Sequence, residues 1–244
     1  MRPFAIAGGF LLFGLPVMIA SGALGRRMSW HPAMVAVPAF ILFNLLAASL
    51  LDVRSALQSH WAPQTMPLFF AGAAGGAFIG LLPVGLAIRL GQTAAAGQAA
   101  MITPTSIVLT LLVVTWEELW FRGMPLNYLS LHSSPVLASA FCGMLFVGVH
   151  SMNPEIRLLS AAPNLFLAGF LLSSCYLYFR SIYFPIGLHF AWNEFHDLFG
   201  PLMFRRDVLP ASPCGENGFV VTVLLAAGSC LLIWSLRRRA QAET

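Results

Sequence analysis

Eight apolar runs follow one another along this chain with short polar breaks between them. That succession constrains the fold more than any other feature. About 20 mostly apolar residues in a helix reach across the ~30 Å hydrocarbon core of a bilayer. Inside hydrocarbon every backbone N–H and C=O must find a partner within the protein, and a helix satisfies that condition within a single run. The expected fold class is therefore all-α: a polytopic membrane helix bundle of about eight transmembrane helices. Composition agrees, with 58% hydrophobic and 9% charged residues, where a soluble domain would carry about a quarter charged.

In chain order the runs are Phe4 to Leu24, Ala33 to Leu51, Met66 to Leu90, and a fourth from about Ile102 through Glu117-Glu118. Arg122 and Gly123 can close the fourth, or the helix kinks near Pro125 and continues to about Ser130. Ser134 to His150, Pro163 to Phe179, Phe184 to Phe199 and Phe219 to Leu236 complete the set. For the first run a signal peptide is the competing reading, since Arg2 precedes it and small residues follow, but its apolar core is longer than a usual signal core. Gly72, Gly75, Gly76 and Gly80 give the third run a small-residue face suited to close helix packing. Gly91 to Gln98 reads as a loop.

The 244 residues read as a single integral membrane domain. Residues 1–100 hold the first three helices, 101–200 the helices with polar residues, and 201–244 a loop, the last helix and a basic tail. All thirteen basic residues are arginine and most lie between runs. They flank a membrane rather than form a nucleic-acid patch, so no nucleic-acid partner is implied. Eight spans place both termini on one side, and Arg237-Arg238-Arg239 favours the cytoplasmic side of a plasma (inner) membrane. The remaining arginines do not decide it, because with the C-terminal cluster included they divide six (Arg2, Arg54, Arg180, Arg237 to Arg239) against six (Arg26, Arg27, Arg89, Arg157, Arg205, Arg206). Cys142, Cys175 and Cys230 fall in apolar runs and Cys214 in a loop, without metal-ligand spacing, so no disulfide framework is expected.

Nine acidic residues occur in the whole chain, and two of them, Glu117 and Glu118, stand side by side at the end of an apolar run. Placing a charge there costs at least a few kcal/mol by insertion scales, and intramembrane ionisable groups default to function. Glu118 and Arg122 are four apart and can pair on a helix, whereas Glu117 points about 100° away and is left to face a cavity. Two other polar sites lie in apolar runs: His150, and His189 with Asn193 one turn later on the same face. Taken singly, a histidine in such a run is more often a packing residue and an asparagine a helix-helix contact. Glu194 lies off that face, and His196 and Asp197 suit a solvated mouth. His31, His60 and His132 read as loop residues with solvated or interfacial roles, and Trp116, Trp120 and Trp192 as cavity walls or packing.

Glu117-Glu118-x-x-x-Arg122, Phe146-x-x-x-His150 and His189-x-x-x-Asn193 resemble, in order, the motifs of the CPBP family, the CaaX prenyl protease and bacteriocin-processing group of intramembrane endopeptidases. The resemblance covers about residues 110 to 200 and includes the flanking Phe121-Arg122-Gly123 and Pro185-Ile186-x-Leu188-His189. It implies peptide-bond hydrolysis in a membrane-presented peptide or protein tail, with the lipid bilayer as surroundings. By motif position Glu117 would activate water together with His150, His189 and Asn193 would stabilise the oxyanion, and Glu118 and Arg122 would organise the site. The chemistry is sound: a carboxylate among membrane helices can serve as general base near neutral pH, with an imidazole sharing the proton. Each oxyanion donor contributes two to three orders of magnitude in such hydrolases.

No cofactor is required by this scheme, and the chain has no HExxH zinc motif and no GxGD aspartate site. A zinc site from Glu117, His150 and His189 is the alternative, since two histidines and a carboxylate with an open position suit catalytic zinc. Two other function classes stand beside the peptidase: a silent immunity or scaffold protein, and a proton-coupled transporter, against which the lack of an inverted repeat counts. There is a geometric difficulty. With simple alternation of spans, His150 ends one helix on one side while His189 begins another on the opposite side, and the two must nevertheless meet.

Overall fold

The structure, a computed structural model, describes residues 2–28, 31–50, 60–89, 102–152, 158–203 and 218–242. Its helices are α1 (Arg2–Met28), α2 (Pro32–Leu50), α3 (Leu68–Arg89), α4 (Pro104–Arg122), α5 (Met124–His132), α6 (Pro135–His150), α7 (Leu158–Phe179), α8 (Tyr183–Met203) and α9 (Phe219–Ala242). One 3-10 turn, Pro63–Thr65, precedes α3, and no strand occurs among the described residues. The all-α membrane bundle read from the sequence is the observed fold. By length and composition α1, α3 with the 3-10 turn before it, α7 and α9 can cross a membrane, while α2 and α6 are shorter apolar helices. The two remaining long helices, α4 and α8, carry Glu117, Glu118, Arg122, His189 and Glu194.

Helix ends follow local chemistry. Thr103 caps α4 reciprocally with Ser106, the Ser106 N–H donating to Thr103 Oγ1 at 3.1 Å and the Thr103 N–H to Ser106 Oγ at 3.0 Å. Pro104 takes the first helical position, where a missing N–H is harmless. Ser134 and Pro135 start α6 in the same way, with the Leu137 N–H donating to Ser134 Oγ at 3.3 Å. Arg180, with φ 48°, takes the left-handed conformation that ends α7 and turns the chain into α8.

Some boundaries differ from the sequence reading. Gly123 closes the fourth span, and the chain restarts as the separate helix α5 rather than kinking and running on as one helix. Its ψ of −122° leaves the helical region, so α5 departs from the α4 axis and packs against α1 and α2. Helix α7 begins at Leu158, ahead of Pro163, which lies inside it and omits the bond an N–H there would make to the Leu159 carbonyl. Helix α1 continues over Arg27, and α9 runs through the arginine cluster. The Gly91 to Gln98 loop, Cys214, Arg54, Arg157, Arg205 and Arg206 lie outside the described residues.

The bundle is held by close helix contacts. Gly72 and Gly76 of α3 lie against the carbonyls of Phe184 and Leu188 in α8, and Gly187 of α8 lies against the Phe69 carbonyl, so a methyl group at any of the three would collide with backbone. The expected glycine face therefore packs through 72 and 76, and Gly80 meets Phe195, while Gly75 only touches Leu188. Helices α6 and α7 meet at Gly143 and Gly169. Helix α1 packs into the core as well: Ala7 is buried and Gly14 makes room for the indole of Trp120. Large apolar side chains such as Leu12, Phe70 and Leu159 stand exposed on the outside, as expected where lipid is the solvent.

Candidate active site

The last turn of α4 forms the floor of the site. Glu118 and Arg122 pair as their spacing predicts, Nη1 to Oε1 at 3.2 Å, and both side chains are 0% exposed. Arg122 Nη2 also donates to the Gly169 carbonyl of α7 at 2.9 Å, and its guanidinium lies 5.5 Å from the Phe121 ring centre and 5.3 Å from that of Phe146. A buried guanidinium is sustained by such a set of a carboxylate, a carbonyl and two aromatic faces. That Gly169 is a glycine matters, since it lets Phe146 and Gly143 of α6 approach α7 at this level.

His189 of α8 reaches both carboxylates. Its Nδ1 lies 2.9 Å from Glu118 Oε1 and its Nε2 3.7 Å from Glu117 Oε2, with His189 10% and Glu117 17% exposed. Because Glu118 is engaged by Arg122 as a carboxylate, it accepts, and Nδ1 of His189 donates. Nε2 is thus the working nitrogen, directed toward Glu117. His150 shows the same division: Nδ1 lies 2.8 Å from the Phe146 carbonyl, which can only accept, so Nδ1 carries the proton and Nε2 is left for chemistry. Both histidines act electrostatically on Glu117.

Phe146 resolves the difficulty with alternating spans. Its ring centre lies 4.2 Å from that of His150 and 6.2 Å from that of His189, so the imidazoles can be no further apart than those two steps combined. Helix α7 connects their helices and is longer than the sequence reading made it, 22 residues, or about 33 Å. Gly169 of α7 meets Phe146 ten residues before that helix ends at Phe179, and His189 lies six residues into α8, so the chain turns and returns to the level of Phe146. Asn193, one turn after His189, is half-buried on α8.

The other polar residues sort differently. Glu194 is half-buried, while His196 and Asp197 lie in α8 with side chains outside the described residues. His31 caps α2, accepting from the Ala33 N–H at 3.3 Å, and His132 ends α5 with Nδ1 2.8 Å from the Tyr128 carbonyl. His60, expected to be solvated or interfacial, is half-buried, its ring edge-on to Tyr176 at 4.7 Å, and its carbonyl accepts from the Ile182 N–H at 3.0 Å. Trp120 is fully buried among the rings of Phe40, Trp116 and Phe121 and packs the core. Cys142 and Cys175 are buried free thiols, and Cys230 is exposed.

For a metal, the set to test is Glu117, His150 and His189. Each imidazole has its Nδ1 held by an acceptor, as metal-binding histidines do. Yet among the described residues no group of three His, Cys, Asp or Glu could hold an ion, so the three do not fit one as they are arranged.

Two features escaped the sequence. The bond from His189 to Glu118 could not be read because it joins residues 71 apart across two helices. Asn44 of α2 is wholly buried against the end of α4, and a lone asparagine in an apolar run carries no signal by itself. No curated protein and no solved structure matches the chain. The family model described as Rce1-like, type II CAAX prenyl endopeptidase Rce1-like, matches residues 99–195, the stretch containing Glu117, Glu118, Arg122, His150, His189 and Asn193. Over residues 99–195, this chain is thus matched to the type II CAAX prenyl endopeptidase Rce1-like family, in agreement with the resemblance drawn from its three motifs.

Proposed function

We propose that this membrane protein is an intramembrane endopeptidase in which Glu117 and His150 activate water while His189 and Asn193 receive the developing oxyanion. One observation carries the reading: His189 is held by Glu118 through Nδ1 and turns Nε2 toward Glu117. The oxyanion role uses N–H on both nitrogens of His189, Nδ1–H given to Glu118 and Nε2–H to the developing oxyanion beside Glu117.

In the first step the water oxygen bonds to the scissile carbonyl carbon, and its proton passes to the Glu117 carboxylate or to His150 Nε2. The carbonyl π pair moves onto oxygen, which accepts from His189 Nε2–H and the Asn193 amide. Collapse re-forms the C=O, breaks the C–N bond and returns the proton to the leaving amine. The base is placed on Glu117 because Glu118 is already occupied by Arg122. The reaction runs on these side chains without a tightly held metal. The substrate is a peptide or protein tail presented at the membrane: a prenylated CaaX tail, a bacteriocin leader or a C-terminal sorting tail. Both termini face the cytoplasm in this reading.

The test incubates purified wild type and Glu117→Gln with membrane proteome and sequences new C-termini. Discrete new C-termini from the wild type, absent with Glu117→Gln, are expected, since the amide keeps the shape but cannot take the proton. Identical C-termini from both proteins would remove Glu117 from the mechanism, and none from either would remove the proteolytic reading. Loss of cleavage with a chelator, restored by stoichiometric zinc, would overturn the metal-free scheme.

A further inference from the structure

Helix breaks inside a membrane bundle leave backbone groups that only the protein can satisfy, because no water is at hand. The break at Gly123 stands one residue after Arg122. Leu119 O, in the last turn of α4, accepts from the Gly123 N–H at 3.2 Å and also from Asn44 Nδ2 at 3.1 Å. Met124 N–H, the first donor of α5, goes to Asn44 Oδ1. The second Nδ2 hydrogen goes to the Phe40 carbonyl of its own helix at 2.7 Å. Two carbonyls and one N–H around one amide fix its orientation, since carbonyls cannot donate. Asn44 is 0% exposed. Gly123 is the neighbour that permits this, because a methyl group there would run into Asn44 Oδ1 and the Leu119 carbonyl.

We propose that Asn44 is a positioning residue that pins the end of α4, and so sets the height and rotation of Glu117 and Glu118 against His189; its catalytic consequence rests on the proteolytic reading above. Leu119, which it grips, directly follows Glu118, the carboxylate that orients His189. Asn44 lies outside residues 99–195, so through this amide α2 takes part in the site geometry, beside the α3 glycines that hold α8. A shift of about 1 Å at such a site costs about a hundred-fold in turnover.

Two variants keep the test independent of a folding failure. Asn44→Ala removes all three bonds, whereas Asn44→Asp is isosteric and retains the acceptor for Met124 N–H. Full-length protein labelled with 15N-histidine is compared in detergent, the His189 signal being assigned by its loss in His189→Gln. Cleavage kinetics on a substrate found in the C-terminus experiment are measured per folded molecule. The expected result is a displaced His189 signal in both variants, larger for alanine, with kcat down about a hundred-fold for alanine and about ten-fold for aspartate and KM within about three-fold. A His189 signal unmoved in both variants, or unchanged kcat per folded molecule, overturns the proposal. If the wild type cleaves nothing, the proteolytic reading falls, and the His189 signal alone decides the positioning role.

Discussion

Helix α8 is gripped on two sides by different physics. Against α3 the contact is backbone on backbone: Gly72, Gly76 and Gly187 allow the helices to touch, with no charge involved. Against α4 the contact is a buried ion pair extended by an imidazole, Arg122 to Glu118 to His189. The first interface depends on the absence of side-chain volume and fixes distance. The second depends on particular donors and acceptors and fixes chemistry. Together they hold His189 at a set height and aim its Nε2, and neither could do so alone.

Removing the charge partner should have the largest effect on stability. Arg122→Ala leaves Glu118 buried without its cation and is expected to lower stability by about 3–5 kcal/mol, seen as loss of monodisperse protein in detergent and of activity together. A variant as abundant as wild type yet inactive would assign Arg122 to substrate instead. Asn193→Ala should leave both interfaces intact, with an unchanged melting temperature, while cleavage falls to about a hundredth to a thousandth. Equal losses of stability and turnover would make Asn193 a packing residue. On the glycine side, Gly76→Leu drives a side chain into the Leu188 carbonyl, for an expected destabilisation of about 1–3 kcal/mol in thermal melts. An unshifted melt would mean that the α3–α8 crossing is looser than its geometry indicates.

The smallest effect should come from pH. His60 and Trp61 strap the start of α8, the Ile182 N–H donating to His60 O and Tyr183 Oη to the Trp61 carbonyl. Burial first, and then the Arg180 charge, push the His60 pKa from 6.5 down to about 4. Because the folded state disfavours the protonated ring, the unfolded state binds more protons between those values. Stability is therefore complete above about pH 6.5, declines as pH falls toward about 4, and levels below that. His60→Phe should flatten this slope in melting curves taken across the window, and an unchanged slope would place the acid sensitivity elsewhere.

Much of the fold was legible because membrane helices are written locally: a run of apolar residues must satisfy its own backbone. The break at Gly123 was less legible, since closing the helix and kinking it both fit the local residues. Asn44 made the difference, by supplying distant partners for Leu119 O and Met124 N–H. The contact of His60 with Tyr176 was not legible for a related reason, because it joins a short polar stretch to a distant helix.

Run length and residue spacing alone specify an all-α membrane bundle, the pairing of Glu118 with Arg122, and the face shared by His189 and Asn193, because each follows from 3.6 residues per turn and the needs of a backbone in lipid. Packing between helices sets which carboxylate holds His189, how Phe146 comes to lie beside two histidines from opposite ends of their helices, and that α2 braces the end of α4. Those contacts join residues far apart in the chain, and their lengths depend on how far neighbouring helices slide along one another, a quantity set by glycine contacts and helix length acting together.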